Sequence, residues 1–587
     1  MCGILGYLDK NNKNIKNFSN MLSALKHRGP DDDNYWIDQD SGLFIGHTRL
    51  SILDLSKAGQ QPMSSNSDRY IISFNGEIYN HLDLRNKINK LNENINWKGT
   101  SDTETILQCF DIYGISKTFE LINGMFAIAV FDKLKKIIYL ARDRFGEKPL
   151  HYGVCENKLF FSSELKPLKY SNYNIKYNQY SFKLYLKYGY IPAPYSIYSN
   201  ISKVLPGEII EIELSTLSIN KKYYWRLESE LSNREIDYNI NENNLIDKFQ
   251  QNLLKAIESQ TISDVGFGVF LSSGLDSTLI CTLLAKYSNK NINTFSLGSY
   301  DNIYNESEIS RKISKILKTN HNEYIINENE LEEKVFSIPK IYDEPFADSS
   351  QIPMAFLSEN AVKINKVFLT GDGGDEMLSG YNRHYYIDKL YSNNLMFKNI
   401  ILVIIKLLKL LDFDQIYKYL KILLPINYRS SIPSEHLIKL EKLFLSKSKF
   451  EAYQKIISLW DELSMIDIET YNKNIYSNNN KIRDKIVYYD MINYLPNDIL
   501  TKVDRASMFY SLETRAPYLD NNFFNFINSI PNSLKNKYFS QKKISKNILS
   551  KYLPEEIVNK PKIGFGIPIK KWINNNLKNI VIKNLSN

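Results

Sequence analysis

Apolar positions in the first part of the chain come in short runs closed by turn formers. YIISFNGEIYN (70–80), GMFAIAVFD (124–132) and KIIYLARDRFG (136–146) are runs of this kind. PGEIIEIEL (206–214) alternates with the two-residue period of a half-exposed strand. Residues 1–225 therefore predict strands and short loops with occasional helices. LESELSNREIDYNINENN (227–244) is polar and asparagine-rich, the composition of a linker. Beyond it, LIDKFQQNLLKAIESQ has helical periodicity, VGFGVFL (265–271) is a short apolar strand, and DSTLICTLLAKYS is a helix. INTFSLG (292–298) and KVFLTG (366–371) continue an alternation of strand and helix that predicts a parallel α/β sheet. From about residue 390 the pattern is mostly helical, and no internal repeat is present.

A chain of 587 residues is too long for one core, and its length predicts two to four domains. The formal charge is +9, but the lysines are scattered and form no basic stripe. No nucleic-acid partner is expected, while a small anionic substrate fits the positive balance. The four cysteines, Cys2, Cys109, Cys155 and Cys281, have neither disulfide density nor metal-ligand spacing, so a reducing, cytoplasmic setting is expected. No basic and apolar leader precedes Cys2, which argues against a lipid attachment point there. The apolar stretch 394–425 is interrupted by Lys398, Lys406 and Lys409. It falls short of the ~18 residues of a spanning helix, so a helical pair, buried or facing a partner, is expected rather than stable membrane insertion.

FLSSGLDST (270–278) joins a buried strand to a helix through Ser272, Ser273 and Gly274. Small residues let backbone N–H groups approach an anion, and the helix adds its positive end. Asp276 places a carboxylate beside that anion, which calls for a cation such as Mg²⁺. The stretch lacks the G-K-[ST] of a Walker loop. LTGDGGDEMLSGY (369–381) is a second strand end running into a glycine-rich acidic loop, with Asp372, Asp375 and Glu376. The two loops are expected to face each other at the strand C-termini, where open α/β sheets bind ligands.

SSGLDS resembles the pyrophosphate motif of N-type ATP pyrophosphatases, and GDGGDE resembles the corresponding second loop of asparagine synthetases. Glutamine-dependent members of that family also begin Met-Cys-Gly-Ile. Further stretches resemble their glutaminase domain: HRGPDD (27–32), HTRLSILDLS (47–56), GQQPM (59–63), FNGEIYN (74–80), SDTE (101–104) and ARDRFGEKPLHYG (141–153). YDEPFADSSQIP (342–353), LTKVDRASMFYSLETRAPYLD (500–520) and NKPKIGFGIPIKKW (559–572) resemble their synthetase domain.

The resemblance implies an α+β N-terminal-nucleophile (Ntn) sandwich at 2–225, a linker at 226–241, and at 242–587 an α/β parallel-sheet ATP pyrophosphatase domain. That second domain is of the adenine nucleotide alpha hydrolase kind and has a helical C-terminal part. Removal of Met1 would expose Cys2 as the nucleophile. Its own α-amine, with an unperturbed pKa of about 7.7–8.0, can act as the base, so no histidine is required. An extension of even one residue would turn that amine into a non-basic amide. In the family, the counterpart of Arg49 clamps the glutamine α-carboxylate and the counterpart of Asp102 holds its ammonium. Counterparts of Asn75 and Gly76 form the oxyanion hole, with Leu50, Ser51, Ile52, Leu53 and Glu77 completing the glutamine strip. Leu271, Ser272, Ser273, Gly274, Asp276, Ser277, Leu297, Thr370 and Gly371 match the ATP strip. Asp276 and Asp375 match Mg²⁺ ligands, Asp372 matches a position in acyl-adenylate formation, and Lys562 matches a lysine beside the transferred phosphate.

The implied substrates are glutamine, aspartate and ATP, and a homodimer is implied as well. Two departures bear on the acceptor. Asp372 stands where asparagine synthetases have glutamate, and Ser273 where the motif has glycine. Amidation of another carboxylate, such as a sugar acid of a surface polysaccharide, is the alternative. A glucosamine-6-phosphate synthase would need no adenylating loop, and tRNA-modifying relatives of that loop lack the N-terminal cysteine domain. A non-catalytic homologue would have no need to retain Cys2, Arg49, Asn75, Asp102, Asp276 and Asp375 together.

Overall fold

The computed structural model describes residues 1–10, 15–91, 95–288, 291–299, 306–384, 387, 391, 395–410, 433–460, 482–560, 569–574 and 577–585. Among them, the N-terminal region holds two six-stranded sheets. In the first, strand Cys2–Asp9 lies between Leu43–Arg49 and Lys158–Ser162, antiparallel to both. In the second, Tyr70–Ile78, Gly124–Asp132, Ile137–Arg142 and Glu208–Glu213 follow in order, also antiparallel.

Side-chain alternation builds the layers. Ile4, Leu8 and Ile45 of the first sheet meet Ile71, Ala129 and Leu140 of the second in one buried cluster. The opposite faces are covered in turn. Leu5 and Phe44 pack under Phe18 and Leu22 of helix Ile15–Ser23. Phe74 and Ile128 pack under Ile106 and Phe110 of helix Asp102–Tyr113. The result is the four-layered αββα sandwich of an N-terminal-nucleophile fold. Strands such as Gly124–Asp132 are buried on both faces, which is why they read as continuous apolar runs.

Residues 226–241, expected as a linker, carry helix Leu227–Ser232, and Leu227 and Ile240 join the core of the second region. That core surrounds a five-stranded, wholly parallel sheet in the order Asn320–Ile326, Asn293–Ser299, Phe267–Phe270, Val367–Leu369, Glu513–Arg515. Helix Leu245–Ser259 and helix Leu275–Tyr287 bury Phe249, Leu253, Leu279 and Leu283 against it. The described residues of the C-terminal part are mostly helical, as the pattern predicts, and include a ten-residue π-helix, Asp490–Ile499.

Of the stretch 394–425, the structure describes helix Leu395–Leu410, which packs on helix Pro433–Leu445 while Ile400, Val403 and Leu407 stay exposed. Residues 411–425 lie outside the described residues. No helix among the described residues is long and apolar enough to cross a membrane.

Candidate functional site

Cys2 begins the central strand of the first sheet, paired in register with Arg49, and is 7% exposed. Its backbone N–H donates to Asn75 Oδ1 at 2.9 Å. Its carbonyl accepts from Arg28 Nε at 3.1 Å. Because Asn75 uses its oxygen in this way, its amide nitrogen is buried without a partner. An open N–H donor is what an oxyanion hole requires, but Asn75 is not among the residues that line the Cys2 cavity. Gly76 follows on a strand so close to its neighbour that a Cβ there would lie 2.0 Å from Met125 O.

Cys2, Arg49, Leu50, Ile52, Leu53, Gly76, Glu77 and Asp102 line one cavity together with Met1, Gln61 and Thr103. Ser51 is not part of that lining; its N–H donates to Asp31 Oδ2 at 2.8 Å. The Arg49 guanidinium is seated on backbone carbonyls of Ser56 and Asp54. Burial pushes the Cys2 thiol above its ordinary value, opposed by the neighbouring ammonium, the Leu50 N–H and Arg49. Burial likewise raises Asp102 to about 6, although the Ile78 N–H donates to its Oδ2 at 2.8 Å. Glu77 is raised well above the carboxylate range, by burial first and by Glu513 second. Burial outweighs the nearby Arg515 guanidinium at both carboxyls, and such a pair suits a ligand that brings an ammonium.

The second site lies at the C-terminal ends of the parallel strands. Strand Phe267–Phe270 runs into Leu271–Gly274 and then helix Leu275–Tyr287. Serines hold this loop: Ser272 Oγ lies 2.8 Å from Ser277 Oγ and accepts from the Gly274 N–H at 3.1 Å. Ser273 Oγ is buried without a partner. Leu297 sits on the neighbouring strand Asn293–Ser299, in the core beside Phe270. The second loop presses directly on the first. A Cβ on Gly371 would lie 2.9 Å from Ser277 N, and one on Gly374 would lie 2.7 Å from Asp276 Cγ. The two loops thus face each other as the sequence predicts. Thr370 Oγ1 accepts from the Asp372 N–H at 3.4 Å. Burial raises Asp372; its hydrogen bond to Thr370 and the charge of Lys502 oppose this, and Asp276 and Asp375 add to it.

Between the loops lies a residue that the sequence reading did not single out. Lys542 Nζ forms ion pairs with both Asp276 and Asp375, and its side chain is 7% exposed. Burial works against its charge, but the two carboxylates outweigh burial and hold it cationic. The two aspartates therefore share one centre of demand for positive charge. That fits Mg²⁺ held by one or two carboxylates and the phosphates of a nucleotide. Among the described residues no group of three His, Cys, Asp or Glu side chains could hold a metal ion without such help. Lys562 lies outside the described residues.

The two sites are joined through Arg515, on the edge strand of the parallel sheet. Its Nη2 lies 3.6 Å from Glu77 Oε1 in the first site, and its Nε is 2.7 Å from Glu513 Oε1. It also lines a small cavity with Asp372, Thr370, Glu147 and Lys148. Glu513 Oε2 accepts from the Met1 ammonium at 2.8 Å. A second buried bridge runs alongside: Arg28 meets Glu164 at 2.9 Å and Asp504 at 2.9 Å while holding the Cys2 carbonyl. Arg28 and Asp504 fall in the quoted HRGPDD and LTKVDRAS stretches, but nothing in their spacing shows that they touch.

A model of the glutamine amidotransferase domain matches residues 1–225, and a model of asparagine synthase matches residues 248–587. The chain belongs to the asparagine synthase family. A Methanocaldococcus jannaschii relative provisionally named asparagine synthetase [glutamine-hydrolyzing] 2 is 35% identical over 86% of this chain and 98% of its own length. Asparagine synthetase [glutamine-hydrolyzing] 1 of Bacillus subtilis is 29% identical over 98% of this chain and 88% of its own. A second Bacillus subtilis protein, asparagine synthetase [glutamine-hydrolyzing] 2, is 27% identical over 96% and 72%. Membership of the asparagine synthase family makes the chain a glutamine-dependent amidotransferase of the synthetase type.

Proposed function

We propose that the chain makes asparagine from aspartate, glutamine and ATP, releasing glutamate, AMP and pyrophosphate. With Met1 removed, the Cys2 α-amine takes the thiol proton. A thiol is a weak nucleophile until it loses its proton, so such a base is needed. The sulfur attacks the glutamine carboxamide carbon, and the developing oxyanion is met by the open Asn75 amide and the Gly76 N–H. Ammonia leaves, and water later cleaves the thioester to glutamate. Arg49 takes the glutamine α-carboxylate and Asp102, with Glu77, the α-ammonium.

At the second site, Ser272, Ser273, Gly274 and Ser277 cradle the ATP phosphates, with Leu271, Leu297, Thr370 and Gly371 completing the nucleotide strip. Asp276 and Asp375 would hold Mg²⁺, which neutralises the phosphates when bound. The aspartate β-carboxylate attacks the α-phosphorus and pyrophosphate departs. Asp372 stands at the position where the acyl-adenylate forms, and Lys542 is placed to receive the charge of the leaving pyrophosphate. Ammonia then attacks the acyl carbon and AMP leaves. Free ammonia in water is mostly ammonium, which is not nucleophilic, so a dry route between the sites preserves the reacting form.

The observation that carries this reading is the position of Arg515, which touches Glu77 of one site and lines the cavity of Asp372 in the other. Met1 packs with Leu50, Ile52, Tyr79, Met125, Val367 and Met508, residues drawn from both regions, so its removal would vacate space between them. The test is to supply the purified protein with ATP, Mg²⁺, aspartate and either glutamine or ammonium chloride, and to follow asparagine and AMP. Cys2→Ala should remove synthesis from glutamine and leave synthesis from ammonia; loss of both together would overturn the division of labour.

A further inference from the structure

A cavity of about 280 Å³ lies beside the Cys2 cavity and shares no lining residue with it. Its volume is close to the lower end of small-molecule pockets, about 300–1,000 Å³. One strip of chain walls the two apart, with neighbouring residues facing opposite sides. Gly59 and Gln61 line the Cys2 cavity, Gln60 and Pro62 the other; Thr103 and Glu104 divide in the same way. Lys57 and Lys98 both line the second cavity, and neither has an ion pair among the described residues. The one carboxylate of that lining, Glu104, is already engaged. Its oxygens accept from the Lys98 N–H at 2.7 Å and the Gly99 N–H at 3.0 Å, and Arg85 lies 3.5 Å away. Gln108, 5% exposed on the same lining, holds no hydrogen bond through its amide among the described residues. Buried amides are ordinarily paired, so this one is left for something that enters the cavity.

The segment that carries Lys57 also seats Arg49. Arg49 Nη1 donates to Ser56 O at 2.9 Å, and Nη2 donates to Asp54 O. Asp54 Oδ2 in turn accepts from the Thr100 N–H at 2.8 Å, which ties this segment to the one that carries Lys98. Gly99 sits so close between them that a Cβ there would lie 2.8 Å from Ala58 Cβ.

We propose that this cavity is an effector site for a small phosphate-bearing anion, and that its occupant raises the affinity of the Cys2 cavity for glutamine. Two unpaired ammonium groups call for a ligand with two negative charges. The amides of Gln108, Gln60 and Asn34 supply further N–H donors for phosphate oxygens. An anion held by both Lys57 and Lys98 draws residues 54–58 onto residues 98–100. It thereby fixes the carbonyls on which Arg49 rests, and Arg49 is the clamp for the glutamine α-carboxylate. This rests on the reading of the Cys2 cavity as the glutamine site and adds a control on it.

Glutamate release from glutamine is measured in the full-length protein without Mg²⁺, ATP or aspartate, at constant ionic strength. Orthophosphate, pyrophosphate or AMP is added, with potassium chloride as the control. The expected result is a glutamine KM lower by about fivefold or more at saturating anion, within the usual range of coupling between sites, with kcat changed by less than about twofold. The anion effective at the lowest concentration names the source of the phosphate. Lys57→Ala combined with Lys98→Ala should abolish the response and leave the basal KM unchanged, and arginine at both positions should retain the response. Calorimetry on Cys2→Ala gives the reciprocal measure: glutamine should tighten binding of the effective anion by the same factor. An equal response to chloride, a response that survives in the double alanine variant, or the absence of anion binding overturns the proposal. Anion binding that leaves the glutamine KM unmoved overturns it too. No glutamine hydrolysis under any condition removes the glutamine-site reading instead; anion binding that is lost in the double alanine variant would then still support the cavity as an anion site.

Discussion

Replacing Asn75 by alanine should impair glutamine hydrolysis in one specific way. Asn75 has two jobs in the structure. Its oxygen accepts from the Cys2 N–H at 2.9 Å, and its nitrogen is buried with no partner. The first interaction exists before substrate arrives and contributes about 1 kcal/mol to the resting geometry. The second is expected to strengthen as charge develops on the substrate oxygen, and so to act mainly in the transition state. Removing one such donor costs about 2.7–4 kcal/mol, or about 10²–10³ in kcat. Glutamate release from glutamine, measured without ATP or aspartate, should therefore fall by that factor with KM changed by less than about threefold. Synthesis from ammonium chloride should continue. A variant whose KM rises while kcat holds would show that Asn75 binds glutamine rather than its transition state, and the oxyanion assignment would be wrong.

Asp276→Asn should abolish ATP–pyrophosphate exchange and weaken ATP·Mg²⁺ binding in a calorimetric titration, with glutaminase turnover preserved; normal exchange would remove Asp276 from the nucleotide site. Lys542→Met leaves Asp276 and Asp375 facing each other without their shared cation. Breaking a buried pair costs about 3–5 kcal/mol, so the melting temperature should fall and added Mg²⁺ should restore part of it; a Mg²⁺-insensitive loss would argue against a cation site there. The form of Asp102 that binds an ammonium is the anion, and burial places its pKa at about 6 in the free protein. Glutaminase kcat/KM should therefore fall as pH drops through about 6, and Asp102→Asn should be impaired at every pH. An unchanged acid limb in Asp102→Asn would assign that limb to another group.

Much of this site was legible in the sequence because its residues are consecutive. The serine and glycine run at 272–274 and the GDGGDE loop announce themselves as turns at strand ends, and the structure presses one against the other. Motif singles out Cys2, Arg49, Asn75 and Asp102; the register Cys2↔Arg49 and the Cys2–Asn75 hydrogen bond bring the first three together, and Asp102 lines the cavity of Cys2 and Arg49. Lys542 was not legible. It is 266 residues from Asp276 and sits among many lysines in a chain with 74 Lys and Arg, so only folding distinguishes it. The face each N-terminal strand presents was also hidden, because strands buried between two layers lose the alternation that would mark inside from outside. Leu227 and Ile240 show the reverse error: a polar average over 226–241 concealed two residues that the core uses.

The central claim is that nitrogen freed at Cys2 reaches an adenylated acid within the same molecule. Amide-¹⁵N glutamine, ATP, Mg²⁺ and aspartate, incubated with the protein in excess unlabelled ammonium at a pH where free ammonia is scarce, test it by mass spectrometry of the products. Asparagine carrying mainly ¹⁵N, with AMP formed one for one, is the expected result. Asparagine carrying mainly the unlabelled nitrogen, or ADP in place of AMP, would contradict it.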